Sequence, residues 1–169
     1  MCGIIAYKGK QNAVPIIVGG LKKLEYRGYD SAGIATLSSG LINEIKSEGR
    51  VDNLEKNSLV QNMEGTIGIG HVRWATHGSP NSINAHPHSS QNVSVVHNGI
   101  IENSTLLKKF LVGKGHVFKS QTDTEVIVHL ITEHLKTDDI VNSIKKTLKA
   151  LHGSFALGII FKDEPDLIV

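Results

Sequence analysis

The chain opens with Cys2-Gly3-Ile4-Ile5-Ala6-Tyr7, a short apolar run that follows the only cysteine. Such a run, rich in isoleucine, predicts a buried strand from Gly3 to Tyr7, with Cys2 at its end. Because the chain has a single cysteine, no intrachain disulfide can form, which agrees with a reducing compartment.

Length and composition indicate one globular domain without a nucleic-acid or membrane partner. The 169 residues are 40% hydrophobic, which is enough to bury one sizeable core. The 18 basic and 16 acidic residues give a formal charge of +2 and no basic stripe that would bind a phosphate backbone. No apolar run approaches the roughly 20 residues that cross a bilayer, and the N-terminus lacks a signal sequence. We therefore expect a cytoplasmic protein.

Periodicity predicts three helices, which run from Asn12 to Glu25, from Asp123 to Leu135 and from Asp138 to Leu151. Further predicted strands run from Ala32 to Leu37, Leu41 to Ile45, Thr66 to Val72, Val93 to His97 and Ser154 to Phe161. The polar stretch from Ser47 to Glu64 is expected to be a loop with a short helix at most. Strands and helices do not alternate regularly, which favours a layered sheet structure with helices outside.

The last residues predict a turn at Glu164-Pro165-Asp166, followed by a new strand from Leu167 to Val169. A chain that stops within a new strand is typical of a fragment.

Cys2 is a candidate nucleophile because of its position. A free thiol, with an ordinary pKa near about 8.5, needs a base or a positive neighbour to react at neutral pH. An α-amino group, with an ordinary pKa of about 7.7 to 8.0, can serve as that base, and removal of Met1 would provide one. The alternative is an inert buried thiol near a chain terminus.

Four polar, turn-rich segments are of the kind that usually carries binding residues. They are Tyr26-Arg27-Gly28-Tyr29-Asp30-Ser31-Ala32-Gly33, Arg73-Trp74-Ala75-Thr76-His77-Gly78, Asn84-Ala85-His86-Pro87-His88 and His97-Asn98-Gly99-Ile100-Ile101-Glu102-Asn103. Each also has a structural interpretation when it is taken singly. The Asn98-Gly99 pair is common in hairpin turns, and Arg73-Trp74 could be a surface cation on an aromatic ring.

The order of these segments behind Cys2-Gly3-Ile4, together with Thr122-Asp123-Thr124-Glu125, closely resembles one family. That family is the glutaminase domain of the glutamine-fructose-6-phosphate aminotransferases (isomerizing), also called glucosamine-6-phosphate synthases. The resemblance runs from Cys2 to roughly Phe161. It implies an α+β fold, the four-layer αββα sandwich of N-terminal nucleophile hydrolases, in one domain over residues 2–169 that is incomplete at its C-terminal end.

The resemblance also implies an activity, which is hydrolysis of L-glutamine to glutamate and ammonia through a γ-glutamyl thioester. In the complete enzyme, sugar isomerase domains absent from this chain would use the ammonia to make glucosamine 6-phosphate from fructose 6-phosphate. The complete enzyme is expected to be a homo-oligomer.

Site residues follow from the same resemblance. Cys2 would be the attacking thiol, while the side-chain amide of Asn98 and the backbone N–H of Gly99 would form the oxyanion hole. Arg73 would bind the α-carboxylate of glutamine, and Asp123 its α-ammonium. The other residues predicted at the substrate are Trp74, Thr76, His77, Arg27 and His86.

Several histidines raise the alternative of a metal site: His71, His77, His86, His88 and His97. No second cysteine and no His-Glu-x-x-His helix accompanies them, so we predict no metal and no cofactor. Gln121 departs from the family, which usually has an acidic residue before Thr-Asp-Thr-Glu.

Two other functions remain open from the sequence. One is the glutaminase of another amidotransferase pathway, and the other is a non-catalytic glutamine-binding module if Met1 is retained.

Overall fold

The computed structural model describes residues 2–75 and 78–169, with the backbone alone at 166–168. Its strands are β1 (Gly3–Lys8), β2 (Ser31–Ser38), β3 (Leu41–Glu48), β4 (Ile67–Arg73), β5 (His88–Ser89), β6 (Val93–Ile101), β7 (Gly153–Phe161) and β8 (Glu164–Ile168). Its helices are α1 (Ala13–Leu24), α2 (Val51–Lys56), α3 (Ser58–Gln61), α4 (Ser104–Gly113), α5 (Glu125–His134) and α6 (Ile140–Ala150). A 3-10 turn, Glu25–Arg27, follows α1.

The strands form two antiparallel sheets of four strands each. The first has the order β1-β4-β2-β3, and the second has the order β5-β6-β7-β8. Ile69 of the first sheet packs in one apolar cluster with Val96 and Ile160 of the second, so the two sheets lie face to face. Replacing the fully buried Ile69 with Ala would cost about 2–5 kcal/mol, because the cavity could not collapse between two sheets.

Helices cover the outer face of each sheet. Ile17 and Leu21 of α1 pack with Ile34 of β2, in a cluster that also contains residues of α2 and α3. On the other side, Ile127 and Ile131 of α5 belong to the cluster that lies over the second sheet. The predicted αββα sandwich is confirmed. Among the described residues, none of the helices is both long and apolar enough to span a bilayer.

Helix α1 begins where the sequence predicted. The side chain of Asn12 accepts a hydrogen bond from the N–H of Val14 over 3.1 Å, which caps the first turn. Pro15 lies in that first turn, where its missing N–H costs nothing.

Three of the four differences from the sequence prediction lie before the C-terminal hairpin. Helix α4 was not predicted, because only Leu107 and Leu111 are buried while Leu106 and Phe110 are exposed, which obscures the apolar stripe. The short strand β5 was also missed. The loop expected from Ser47 to Glu64 contains both α2 and α3.

The predicted turn at Glu164-Pro165-Asp166 is wrong. Strand β8 already begins at Glu164, which pairs with Phe161, so the hairpin turn consists of Lys162 and Asp163. Pro165 is compatible with a strand at this position because β8 is the edge strand of its sheet.

Candidate active site

A cavity of about 200 Å³ lies where the ends of β1, β4 and β6 meet the segment before α5. Seven of the residues predicted at the site line it: Cys2, Arg73, Trp74, His86, Asn98, Gly99 and Asp123. The cavity is also lined by four residues without a predicted role in binding or catalysis, which are His97, Ile100, Thr122 and Thr124. Thr122 and Thr124 flank Asp123 in the sequence, and this adjacency could have indicated that they line the same site.

The thiol of Cys2 lies against the backbone of Trp74, 72 residues later in the chain. The N–H of Trp74 donates to Cys2 Sγ over 3.3 Å, and Sγ lies 3.6 Å from the carbonyl oxygen of the same residue. Because β1 pairs with β4, with Gly3 opposite Val72, the two strand ends meet here. The thiol is therefore held at the edge of the cavity by sheet pairing.

The backbone of Cys2 is also held by side chains. The carbonyl oxygen of Cys2 accepts hydrogen bonds from Arg27 Nε over 3.1 Å and from Asn98 Nδ2 over 3.0 Å. Arg27 thus contacts the carbonyl group of Cys2 and does not line the cavity, whereas the sequence predicted it at the substrate. The side-chain amide of Asn98 lies directly beside the cysteine.

Asp30 fixes the segment that contacts the thiol. Its N–H donates to the carbonyl oxygen of Arg73 over 3.1 Å, and its carboxylate accepts the N–H of Ala75 over 2.7 Å. A Cβ at Gly28 would lie 2.6 Å from the carbonyl carbon of Arg73, so only glycine allows this close approach. The peptide of Trp74 is held between these two contacts.

Arg73 places a buried cation at the cavity. It is 4% exposed, and its guanidinium donates to the carbonyl oxygens of Ser79 over 3.2 Å and Gly78 over 3.4 Å. Burial lowers the pKa of Arg73, while Cys2, Asp30 and Asp123 act in the opposite direction. An arginine remains protonated under such a shift, so the cavity contains a fixed positive charge. The surface-cation interpretation of Arg73 is wrong.

Asp123 supplies the opposite charge. One oxygen of its carboxylate accepts the N–H of Ile101 over 2.7 Å, and the other lies 4.0 Å from Nδ1 of His97. Because Asp123 and Arg73 line the same cavity, a ligand with both an ammonium and a carboxylate group can be bound at both ends.

Asn98 and Gly99 lie within strand β6, opposite Ala156 and Phe155, so the hairpin-turn interpretation is wrong. Gly99 has a φ of 144°, in the region that favours glycine. A Cβ there would lie 2.0 Å from the carbonyl oxygen of Ser154. Glycine is therefore required at this position by the close approach of β7.

Four buried histidines lie together at the cavity: His86 and His97 line it, and His71 and His88 pack against His86. Thr124 Oγ1 joins two of them, at 3.1 Å from His86 Nε2 and 2.8 Å from His97 Nδ1. Burial lowers the pKa of all four, to about 3 for His71 and His88, so all four are neutral at pH 7. Within residues 2–75 and 78–169, no group of three His, Cys, Asp or Glu side chains could hold a metal ion.

Gln121 closes the loop next to the cavity. Its side-chain oxygen accepts from the N–H of Ser79 over 3.3 Å and from Asn84 Nδ2 over 3.2 Å. The backbone N–H of Gln121 in turn donates to Asn84 Oδ1 over 2.9 Å. Thr76 and His77, which the sequence also predicted at the site, lie outside the described residues.

Comparison with known proteins identifies the family. Residues 71–169, which are more than half of the chain, match the family model of the glutamine amidotransferase domain. This chain belongs to the glutamine amidotransferase domain family. Members of curated function include the glutamine-fructose-6-phosphate aminotransferase (isomerizing) of Caldanaerobacter subterraneus subsp. tengcongensis, 54% identical over 171 residues, with 100% of this chain and 28% of the relative covered. The same-named enzyme of Thermococcus kodakarensis is 54% identical over 169 residues, with 98% of this chain and 28% of the relative covered.

Solved structures show the same fold. The glutamine phosphoribosylpyrophosphate amidotransferase from B. subtilis, complexed with ADP and GMP, superposes with a TM-score of 0.84 at 30% identity, over 96% of this chain and 35% of that chain. A structure described as the allosteric regulatory enzyme of purine biosynthesis gives a TM-score of 0.86 at 30% identity, over 96% of this chain and 36% of that chain. This glutamine amidotransferase domain thus spans 28% of the length of the curated relatives and about a third of these solved chains.

Proposed function

We propose that this chain hydrolyses the side-chain amide of L-glutamine, with Cys2 as the nucleophile. The observation that carries the proposal is the convergence of Cys2, Arg73, Asn98 and Asp123 on one cavity. These four residues supply a nucleophile, a cation, an amide donor and an anion, which are the groups that recognition and cleavage of an amino-acid amide require.

Removal of Met1 precedes the reaction and leaves the α-amino group of Cys2 free. That amine takes the thiol proton, directly or through one water, and Sγ attacks the carbonyl carbon of the glutamine side-chain amide. The tetrahedral intermediate collapses when the ammonium returns its proton to the departing nitrogen, which releases ammonia and leaves a γ-glutamyl thioester. Water then cleaves the thioester to glutamate and restores the thiol.

Asn98 and Gly99 stabilise the oxyanion of the tetrahedral intermediate. The Asn98 side-chain amide lies 3.0 Å from the carbonyl oxygen of Cys2, so a small rotation directs Nδ2 towards substrate bound at the sulfur. A donor placed where negative charge develops is worth about 10² to 10³ in rate. The Gly99 N–H is the second donor in this proposal.

The amino-acid head of glutamine binds between the two charged residues, with its α-carboxylate on Arg73 and its α-ammonium on Asp123. Trp74, which is 46% exposed at the rim, covers the ligand. Thr76 and His77 contribute further contacts, Arg27 holds the backbone of the nucleophile, and His86 lines the cavity.

The ammonia acceptor in the complete protein is fructose 6-phosphate. The support is the higher identity to the glutamine-fructose-6-phosphate aminotransferases, 54%, compared with 30% to the purine-pathway structures. Sugar isomerase domains beyond this chain would perform that step, and the complete protein would be a homo-oligomer. The product would be glucosamine 6-phosphate.

The glutaminase step is tested with ¹⁵N-amide glutamine. Trimmed chain should release labelled ammonia and glutamate, and a glutamine analogue with an electrophilic carbon in place of the side-chain amide should add its mass to the peptide that begins at Cys2. The Cys2→Ala variant is the matched control and should do neither. Labelling at a residue other than Cys2 would contradict the assignment of the nucleophile.

The acceptor is tested in the full-length protein with the same label. Label should reach the amino group of a hexosamine 6-phosphate when fructose 6-phosphate is supplied. If label instead reaches a ribosylamine phosphate, the purine-type reaction replaces the sugar reaction.

A further inference from the structure

The residues that bring Asp123 to the cavity have no regular secondary structure. From 116 to 124 the described backbone contains neither helix nor strand, and α5 begins only at Glu125. The buried backbone groups of an irregular segment lack the regular partners of a helix or strand, so other groups must satisfy them. The contact of Asp123 with the Ile101 N–H fixes the carboxylate, but it leaves the preceding residues to be held by other groups.

Glu125 holds two of those residues, Lys119 and Ser120, while Asn84 holds the N–H of Gln121. Oε1 of Glu125 accepts the N–H of Lys119 over 2.9 Å, while its Oε2 accepts both the N–H and the hydroxyl of Ser120 over 2.7 Å. The carboxylate thus closes the segment into a ring that contains Asp123. Glu125 is 7% exposed and sits in the first turn of α5, where the helix dipole favours a negative charge.

A chain of hydroxyl groups extends this contact to the cavity wall. Ser120 Oγ lies 2.9 Å from Thr122 Oγ1, which lies 3.0 Å from His88 Nε2. Because Ser120 donates its proton to the Glu125 carboxylate, it must accept from Thr122, and Thr122 must then accept from His88. This single direction of donation satisfies the whole chain, because its last acceptor is a carboxylate that has no proton of its own to donate.

The charge of Glu125 is maintained despite burial. Burial raises the pKa of Glu125, but the nearby His129 and hydrogen bonds from Lys119 and Ser120 lower it by more, to about 2. A buried carboxylate with three donors on one segment stabilises that segment in one conformation.

We propose that Glu125 is a positioning residue, which holds Asp123 at the cavity by fixing the backbone of residues 119–124. This inference rests on the proposed role of Asp123 as the group that binds the α-ammonium of glutamine. Glu125 itself does not line the cavity, so its loss weakens recognition of the ammonium group and leaves Cys2, Arg73 and Asn98 in place.

Glu133 provides a matched control two helical turns later on α5. Its carboxylate also accepts from a histidine, His116 Nε2 over 3.0 Å, and from Lys136. Its pKa is likewise lowered to about 2, with Lys136 the largest cause and His116 the next. Glu133 does not contact residues 119–124 directly. Its partner His116 lies 3.1 Å from His129 Nδ1, and His129 Nε2 lies 3.5 Å from Glu125 Oε1. Glu133→Gln therefore alters the same helix and the two histidines while the contacts of Glu125 with Lys119 and Ser120 remain.

The test measures binding in a Cys2→Ala background, where turnover cannot interfere. Two ligands are titrated by calorimetry: L-glutamine, and 4-carbamoylbutanoate, which is glutamine without its α-ammonium. Glu125→Gln should weaken glutamine binding about tenfold and 4-carbamoylbutanoate binding less than about twofold, because one charge-assisted contact is lost. Glu133→Gln should leave both affinities unchanged, and amide exchange at 119 and 120 should accelerate only in Glu125→Gln.

Equal weakening of both ligands in Glu125→Gln, or unchanged glutamine binding, would overturn the proposal. If Glu125→Gln does not fold, Ser120→Ala and Glu125→Asp remove single contacts of the ring, and the same preferential loss of glutamine binding is required of them. If the parent chain binds both ligands equally, the role of Asp123 fails and Glu125 has no group to position. Release of labelled ammonia by the trimmed chain would then still test the glutaminase function separately.

Discussion

The N–H of Trp74 donates a hydrogen bond to Cys2 Sγ over 3.3 Å, and this contact joins the first strand of the protein to the end of β4. The hydrogen bond holds the sulfur at the cavity, with the Trp74 N–H as its donor. Because Asp30 accepts the N–H of the next residue, Ala75, the peptide that contacts the sulfur is held from both sides. A substitution at Cys2 can therefore remove the reactive thiol while the fold of the protein is retained.

Replacing Cys2 with Ala should abolish glutamine hydrolysis and leave the fold intact. The side chain lies near the terminus and is only partly buried, so the loss of one weak hydrogen bond should cost about 1 kcal/mol at most. Cys2→Ser should also be nearly inactive, because a hydroxyl is a poorer nucleophile than a thiol. Ammonia release and thermal unfolding measure the two effects. Turnover by the Ala variant within about a factor of two of the parent would refute the nucleophile assignment.

Substitutions at the charged residues and at Asn98 should give different kinetic defects. Arg73→Ala and Asp123→Ala should mainly raise KM, since they remove contacts to groups that do not change in the reaction. Asn98→Ala should lower kcat by about 10² to 10³ with a smaller effect on KM, because it removes an oxyanion donor.

Asn103→Ala is the control for this comparison. Asn103 also donates its side-chain amide to a backbone carbonyl, that of Ala150 over 2.8 Å, but it does not line the cavity. The kcat and KM of the Asn103→Ala variant should match those of the parent. If Asn98→Ala mainly raises KM while Asp123→Ala mainly lowers kcat, the roles are exchanged.

The buried histidines should make the protein lose stability below about pH 6.5. In the unfolded chain a histidine binds a proton near its ordinary pKa of 6.5, whereas folded His88 does so only near 3. The unfolded state therefore binds more protons across this window, and the free energy of unfolding falls as the pH falls. The lowered pKa of Glu125 acts only below its ordinary value of 4.5, so the range from about pH 5 to 6 isolates the histidines.

Denaturant unfolding at several pH values measures that slope. His88→Gln should reduce the slope by about one proton, which is about 1.4 kcal/mol per pH unit. His152→Gln, at an exposed position, should leave the slope unchanged. An unaltered slope in His88→Gln would show that this histidine is not held neutral.

Gly99→Ala should destabilise the sheet around the site by more than about 2 kcal/mol. The added Cβ would lie 2.0 Å from the carbonyl oxygen of Ser154, and Gly99 has a φ of 144°. Gly19→Ala is the control, because Gly19 is exposed within α1 and its added Cβ would meet nothing within 4 Å. That change should stabilise the protein by about 0.5–1 kcal/mol. Equal unfolding midpoints for the two variants would contradict the packing argument.

The layers of the fold could be predicted because local patterns and long-range packing agree there. In α1 the buried residues Val14, Ile17, Val18 and Leu21 have helical spacing, and Asn12 caps the helix. Helix α4 could not be predicted from such a pattern, since exposed Leu106 and Phe110 are apolar like the residues that α4 buries.

Site residues could be named from the sequence only through the family resemblance, because their proximity depends on strand pairing. Nothing local indicates that Cys2 meets Trp74 or that Asn98 reaches the carbonyl oxygen of Cys2, 96 residues away. The hairpin interpretation of Asn98-Gly99 failed because the glycine is required by the approach of Ser154 rather than by a turn. Glu125 lies two residues after Asp123 in the sequence, but only the structure shows which backbone groups it binds.

Processing of the N-terminus should decide whether the chain is active. A peptide-bonded Cys2 and a terminal Cys2 have the same thiol, but only the terminal form has a titratable amine beside it. Chains that retain Met1 should bind glutamine weakly through Arg73 and Asp123, yet fail to form the γ-glutamyl thioester.

Enzymatic removal of Met1 should restore turnover, with a pH profile whose lower limb reflects an amine that titrates at about pH 7 to 8. Activity should rise through that limb as the amine loses its proton, because only the neutral amine can accept the proton of the thiol. Mass spectrometry of each sample before assay establishes which form is present. If a preparation that fully retains Met1 hydrolyses glutamine as fast as the trimmed one, the terminal amine is not the base. His86 would then be the next candidate, although its pKa is lowered well below the ordinary value by burial, so the lower limb should move to more acidic pH.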